Sequence, residues 1–553
     1  KSSVACGTCA AGRHELWRDC VKCHGLHIDG IFPLLGVTLG CLIVTLLVYV
    51  VNGSAHNTPA TSLFVVTMCG LLYTSVQTLG VFSEVYVEWV EPLQSLVLTA
   101  RVLSFDLQLL RLACIWGPDP LYTFLTSQAL AAVVLPAAAV TLFLRRRGGS
   151  LLCCRAASEA GREGKLHQLK AESRHSFRAE FLNSVGAIYT IFFISMLISS
   201  LSPFVCYNHP GGNGQSMRSS PAMLCSGDDP QHTTLVVIGT LVMCSFPLPF
   251  LALCCYATWV YPSRMAQLNS TSFLHSTRFL FVCVNPSRHY FQLLVMFRGL
   301  LLCVVPVILT SKPATQVLVI CIVLGSYLLI EEELRPWRAG LCNLFDAIMA
   351  VLLMVVLFIG GLFLTGDSEK PAMVIVSSIV LGLMLVAAVA GFATVLWRRW
   401  LASFFDYFIC HHKADAAAQA RFLKMLLQQR RPNAQVFIDS DDLRDLAVLF
   451  DIIKSRVKQV VVYLTGDTLK RSWCIGEVTT AYYSKVDITR VETPTFLANR
   501  SLTPAAAAAN AALELDPVDA TGGGAATNLQ EYGFQHSEVV MALQWLLEEA
   551  KVI

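Results

Sequence analysis

Long apolar runs separated by short clusters of charge dominate the chain up to about residue 397. A run of about 18 or more apolar residues crosses a bilayer core as a helix, because lipid offers the backbone N–H and C=O groups no partner. Nine runs meet or approach that length: 31–51, 61–82, 122–144, 181–202, 235–259, 291–310, 314–330, 347–364 and 373–397. The seventh is the shortest. A further apolar stretch, 93–116, carries Arg101, Asp106 and Arg111, and a charge at mid-bilayer costs about 2.5 to 3.5 kcal/mol on the insertion scale. That stretch is expected to lie along the membrane surface as an amphipathic helix, or to re-enter the membrane as a pore or ligand element.

After Arg399 the pattern changes to short β-type apolar runs alternating with amphipathic helices, as in a parallel sheet with helices on its faces. FDYFIC (405–410), AQVFID (434–439) and QVVVYL (459–464) read as strands. Between them, 414–430 places Ala420, Leu423 and Leu427 on one helical side, and 446–457 does the same with Leu446, Phe450, Ile453 and Val457. Another helix is expected to begin near Ser472. An Ala/Gly-rich stretch, 503–528, reads as a flexible insertion, and 537–551 as a closing helix that presents Val540, Leu543, Trp545 and Leu546 to the sheet. The expected domains are a Cys-rich segment (1–30), a transmembrane region (31–397), an α/β domain (398–490), a linker (491–536) and a C-terminal helix (537–553).

Charge sharpens this division. Only 14% of the 553 residues are charged and the mean hydropathy is +0.58, against about 25% charged in an average soluble domain, which excludes a mostly soluble enzyme. The net charge of +3 lacks the concentrated basic face that nucleic acid requires. Lys and Arg fix the orientation: segment 145–180 holds nine of them, and the loop after the fifth span has Arg264, Arg278 and Arg288, whereas the segment after the second span has Glu84, Glu88 and Glu91. A multi-pass protein of the plasma membrane is expected, N-terminus outside and α/β domain in the cytoplasm, with the lipid bilayer as its first partner.

Cys6, Cys9, Cys20 and Cys23 form a CxxC, ten residues, CxxC pattern that suits zinc by spacing but disulfides if it is extracellular. Disulfides are the reading adopted, with no metal, and Cys206 with Cys225 is expected to bridge the outer loop after the fourth span. The chain begins at Lys1 without an initiator Met, and its first 25 residues resemble the tail of the Cys-rich repeats of large ectodomains, so further repeats are expected upstream. Inside the spans Arg298 is a functional candidate, or a side chain that snorkels to the inner interface. The cluster EEELRPWRAGLCNLFD (331–346) reads as a solvated connector near that face, or a gate. The spans loosely resemble polytopic channels of the TRP type.

In open α/β sheets ligands gather at the carboxyl ends of strands. Those ends carry Cys410, His411, His412 and Lys413, then Asp439, Ser440, Asp441 and Asp442, then Thr465, Gly466 and Asp467. The basic CHHK argues against a phosphorylated receiver domain, and a zinc set of Cys410, His411, His412 and Cys474 is allowed by ligand type alone. FDYFICHHKAD, QVFIDSDDLRDL and VVYLTGDTLKRSWCIGE, in that order over 405–485, resemble the boxes of Toll/interleukin-1 receptor (TIR) domains. The Pro-Gly pair of the second box and the FW dipeptide of the third are missing.

The resemblance implies a flavodoxin-like α/β fold that self-associates, with other TIR domains as partners and Asp441, Asp442, Leu443 and Arg444 in the contact loop. In members that hydrolyse NAD it implies Glu477, the acid of WCxxE, as the catalytic group handling the ribose; by strand-end position His411, Lys413 and Asp439 are expected near the NAD, together with Trp473. The alternative for Glu477 is an exposed first-turn acid favoured by the helix dipole, with Trp473 and Cys474 packing the core. Three functions follow as expectations: a receptor-like protein signalling by TIR self-association, a membrane-tethered NAD hydrolase with NAD as substrate and no required cofactor, and a channel or transporter regulated by the TIR domain.

Overall fold

The computed structural model describes residues 13–24, 31–52, 60–103, 136–144, 177–265, 271–362, 404–438, 449–498 and 536–552, apart from short gaps inside these ranges, and isolated residues from 114 to 128 and from 375 to 393. The chain divides into two units, Lys1–Asn52 with Val66–Val260 and His275–Phe392, and Gly53–Val65 with Tyr261–Leu274 and Ala393–Ile553.

The first unit is helical. Its principal helices are α1 (Ile31–Val51), α2 (Ala60–Phe82), α3 (Leu93–Leu103), α4 (Phe177–Ile191), α5 (Phe193–Leu201), α6 (Pro230–Ser245), α7 (Pro247–Met265), α8 (Phe291–Ile308), α9 (Pro313–Leu334) and α10 (Gly340–Leu362). Five stretches are long and apolar enough to cross a membrane: Leu63–Phe82, Pro230–Arg264, Phe291–Ile308, Pro313–Leu334 and Gly340–Gly361. A sixth is added if α4 and the segment after it, bent by 59° at their junction, make one span. The protein is therefore read as a multi-pass membrane protein with five or six candidate spans among the described residues, where nine were expected. Of the others, 31–51 is helical throughout, 122–144 is described in part and is helical over 136–144, and 373–397 lies largely outside the described residues.

The polarity of this unit is the reverse of a soluble bundle. Leu35, Leu39, Leu42 and Leu46 of α1 and Leu318, Ile322 and Leu329 of α9 are exposed, whereas Asn52, Gln77, Asn183 and Ser184 are buried. The buried polar groups find each other across helices, as lipid-facing bundles require. Asn52 Nδ2 donates to Ser184 Oγ at 2.5 Å, Asn183 Nδ2 to Asn52 Oδ1 at 3.1 Å and Gln77 Nε2 to Ser195 Oγ at 2.8 Å. In α3 one face is buried through Leu93, Val97 and Ala100.

Two small hairpins, β1 (Arg13–Leu16) with β2 (Asp19–Lys22) and β3 (Cys206–Asn208) with β4 (Gln215–Met217), decorate the helices. Cys206 is bridged to Cys225. Cys23 is bridged to Cys114, 91 residues away, and Cys20 is also disulfide-bonded; Cys6 and Cys9 lie outside the described residues. The Cys23 partner comes from outside the first 30 residues, and spacing inside that segment carries no trace of a cysteine from a later loop. Arg218, just after β4, donates to the Ser83 and Val85 carbonyls at 3.0 and 2.9 Å.

The second unit is a five-stranded sheet, parallel throughout, in the order β6-β5-β7-β8-β9, where β5 is Phe405–His411, β6 Val436–Ile438, β7 Val457–Leu464, β8 Asp487–Glu492 and β9 Lys551–Val552. Counted along the sheet's own strands this is 2-1-3-4-5, with its topological switch point between β5 and β7. Alternation along β5 builds both layers. Phe408 and Cys410 enter a core with Phe437, Val460 and Val462 and with the helices α12 (Leu449–Arg456), α13 (Ser472–Tyr483) and α14 (His536–Glu548). Ile409 faces the other way, with Val436, Ile438 and Ala420 of α11 (Lys413–Arg430). After β8 the chain continues into a short helix, Pro494–Ala498.

Candidate functional site

The switch point brings the end of β5 beside the end of β7, with His411 opposite Tyr463 in the register. The residues just beyond both strands form a closed network. His412 Nδ1 lies 3.1 Å from Asp415 Oδ2, and the same oxygen accepts from Thr465 Oγ1 at 3.2 Å. Thr468 Oγ1 accepts from the Thr465 N–H at 2.9 Å and donates to the Tyr463 carbonyl at 3.0 Å. Lys470 Nζ sits 2.6 Å from Asp467 Oδ1 and holds that carboxyl below its ordinary range. Asp415 and Thr468 carry no motif that marks them, so their part in this network was not legible before the fold placed α11 against the β7 turn.

Of the residues expected to act on NAD, Glu477, His411, Lys413 and Trp473 are described. Glu477 is 3% exposed and sits in the second turn of α13, so it is not an exposed first-turn acid. His411 is buried as well, Lys413 is half-buried at the start of α11, and Trp473 stacks on Phe450 with ring centroids 5.4 Å apart. Trp473 and Cys474 belong to the sheet core. Asp439, and the loop residues Asp441, Asp442, Leu443 and Arg444, lie outside the described residues.

Cys410 and Cys474 meet across the β5–α13 junction. Cys474 Sγ donates to the His411 carbonyl at 3.4 Å and Cys410 Sγ to the Cys474 carbonyl at 3.8 Å. The Cys474 side-chain bond, burial and the charge of Glu477 push the Cys410 thiol well above its ordinary range. Of the ligand-type zinc set, only the two cysteines converge; His412 is engaged by Asp415.

A second polar cluster lies among the spans. Arg298 of α8 is 6% exposed, and its guanidinium carbon stands 4.0 Å from the centre of the Tyr327 ring. It therefore packs inward instead of snorkelling. Tyr327 Oη and Trp337 Nε1 both donate to Asp346 Oδ2, at 2.6 and 2.9 Å, while Asn343 binds both main-chain groups of Trp337. Glu331 is fully buried, and neither of its oxygens has a hydrogen-bond partner among the described residues. Segment 331–346, expected as a solvated connector, is thus the end of α9, a tight turn at Arg335 (φ 42°) and the start of α10 packed on one another. The sequence showed these charges but not that three helices turn them toward a shared interior.

Comparison with family models, with curated proteins and with solved structures finds no match to this chain.

Proposed function

We propose that this is a multi-pass membrane protein that signals through self-association of a TIR-like α/β domain. The observation that carries the reading is an apolar stripe on α11: Phe422, Met425 and Leu426, at positions i, i+3 and i+4, are 60%, 65% and 40% exposed. The opposite face of the same helix is already used, Ala420, Leu423 and Leu427 being packed on the sheet. A helix in a sheet domain needs one apolar face, and a second one is an unmet packing demand. Anchoring many copies in one membrane raises their effective concentration, so a small patch suffices.

The burial of Glu477 weighs against NAD hydrolysis, which needs that carboxylate open to substrate. The bridges at Cys23–Cys114 and Cys206–Cys225 support an oxidising exterior for this part of the first unit and hence an orientation with the α/β domain inside. The full chain, labelled with donor and acceptor dyes and reconstituted in liposomes, is expected to show energy transfer above that of a diluted, unassociated membrane protein. Phe422→Asp with Met425→Asp is expected to weaken association on the order of tenfold or more, since such a side chain is worth about 1.5 to 3 kcal/mol when buried. Equal transfer in parent and variant removes this reading; nicotinamide release from NAD on the same vesicles, lost in Glu477→Gln, replaces it with the enzymatic one.

A further inference from the structure

One sulfur each from Cys410 and Cys474 and one carboxylate oxygen of Glu477 all lie within 4.8 Å of one another, and none of the three residues is more than 3% exposed. We infer that this triad is a zinc site. Tetrahedral zinc with Zn–S near 2.3 Å and Zn–O near 2.0 to 2.2 Å sets donor-to-donor edges of about 3.5 to 3.8 Å, so the donors close on a shared ion with movements of about 1 Å. They come from two rigid elements: Cys410 from the end of β5, Cys474 and Glu477 from positions i and i+3 of α13, which face the same way.

The donor chemistry selects the metal. Two thiolates and a carboxylate suit zinc, whereas magnesium and calcium take oxygen donors and iron–sulfur clusters need four cysteines. The second convergent group among the described residues, Cys206, Cys225 and His232, has both sulfurs in a disulfide and offers no thiolate.

Loading exchanges two weak thiol-to-carbonyl bonds for two metal–thiolate bonds, and the two thiol protons leave to solvent. The ion brings two positive charges to a place where the fold has buried a carboxylate, and it ties β5 to α13. Three protein donors leave a fourth position for water. The site does not depend on the self-association reading, and it gives Glu477 a role other than handling ribose. Because the donors are buried, the ion enters during folding, not by soaking of the finished protein.

The full chain, expressed with zinc in the medium and purified in detergent micelles without chelator, is expected to carry about one zinc per chain by elemental mass spectrometry. Expression with cadmium is expected to add a sulfur-to-cadmium charge-transfer band in the ultraviolet. Cys410→Ser and Cys474→Ser abolish both. The same-shaped Glu477→Gln, chosen to keep the fold, weakens zinc affinity by more than the roughly tenfold to hundredfold that loss of an outer-shell partner causes. A folded parent with neither zinc nor the cadmium band overturns the site, as does metal content identical in the parent and all three variants, which would place the ion on thiols such as Cys41 or Cys69.

Discussion

Asp346 accepts two hydrogen bonds on one oxygen from Tyr327 and Trp337, and Arg298 meets the same tyrosine through its ring face. A buried charge stays in a fold only where such partners replace water, and here aromatic side chains do so while keeping the helices apolar. At the sheet edge the balance differs. Asp406 is held below its ordinary carboxyl value of 3.8 by Lys458, whose Nζ is 2.7 Å away, and next by the Gln435 N–H. Its folded value being lower than its unfolded one, it adds stability that is fully present above the unfolded value and is lost as pH falls through the folded one. Thermal unfolding in micelles at descending pH is expected to show a shallower acid loss for Asp406→Asn than for the parent. The difference is expected to shrink in salt, because Lys458 is 73% exposed.

Among elements, close approach sets what the helices tolerate. A Cβ on Gly239 of α6 would stand 2.8 Å from the Ser200 carbonyl oxygen and 3.3 Å from Pro203 Cγ, so this helix meets the end of α5 backbone to backbone, as small residues permit in membranes. Gly239→Ala is expected to destabilise the first unit by about 1 to 3 kcal/mol, read as a lowered unfolding midpoint in micelles. An unchanged midpoint would mean that the helices separate freely there. The elements differ in how readable they were. FDYFIC and QVVVYL announce strands because both faces of β5 and β7 are covered by helices and must be apolar. DITRVE, which forms β8, carries three charges in six residues and gave no such signal; it becomes a strand because β7 offers it a ladder and Arg490 finds Glu492 and the Leu546 carbonyl.

For the whole molecule, the disulfides join parts that the helices alone leave apart. In the chain-entropy view a bridge stabilises more as its loop lengthens. Serine in place of Cys206 and Cys225, 19 residues apart, is expected to cost roughly 3 kcal/mol. The same change at Cys23 and Cys114, 91 apart, is expected to cost roughly 4.5 kcal/mol. Denaturant unfolding of the two variants under one set of conditions checks the order, and a larger loss from the short loop would contradict it. The sequence by itself determined the helical region, the sheet domain after Arg399 and the first three strands, because hydrophobic periodicity is a local record of which face meets water or lipid. Only the tertiary structure decided that Cys410, Cys474 and Glu477 converge, that Arg298 turns to Tyr327 and that Cys23 reaches Cys114. Apart from Cys474 with Glu477 on one helix, those pairings join residues 29 to 91 positions apart, and no local pattern encodes which distant segment a fold will bring into contact.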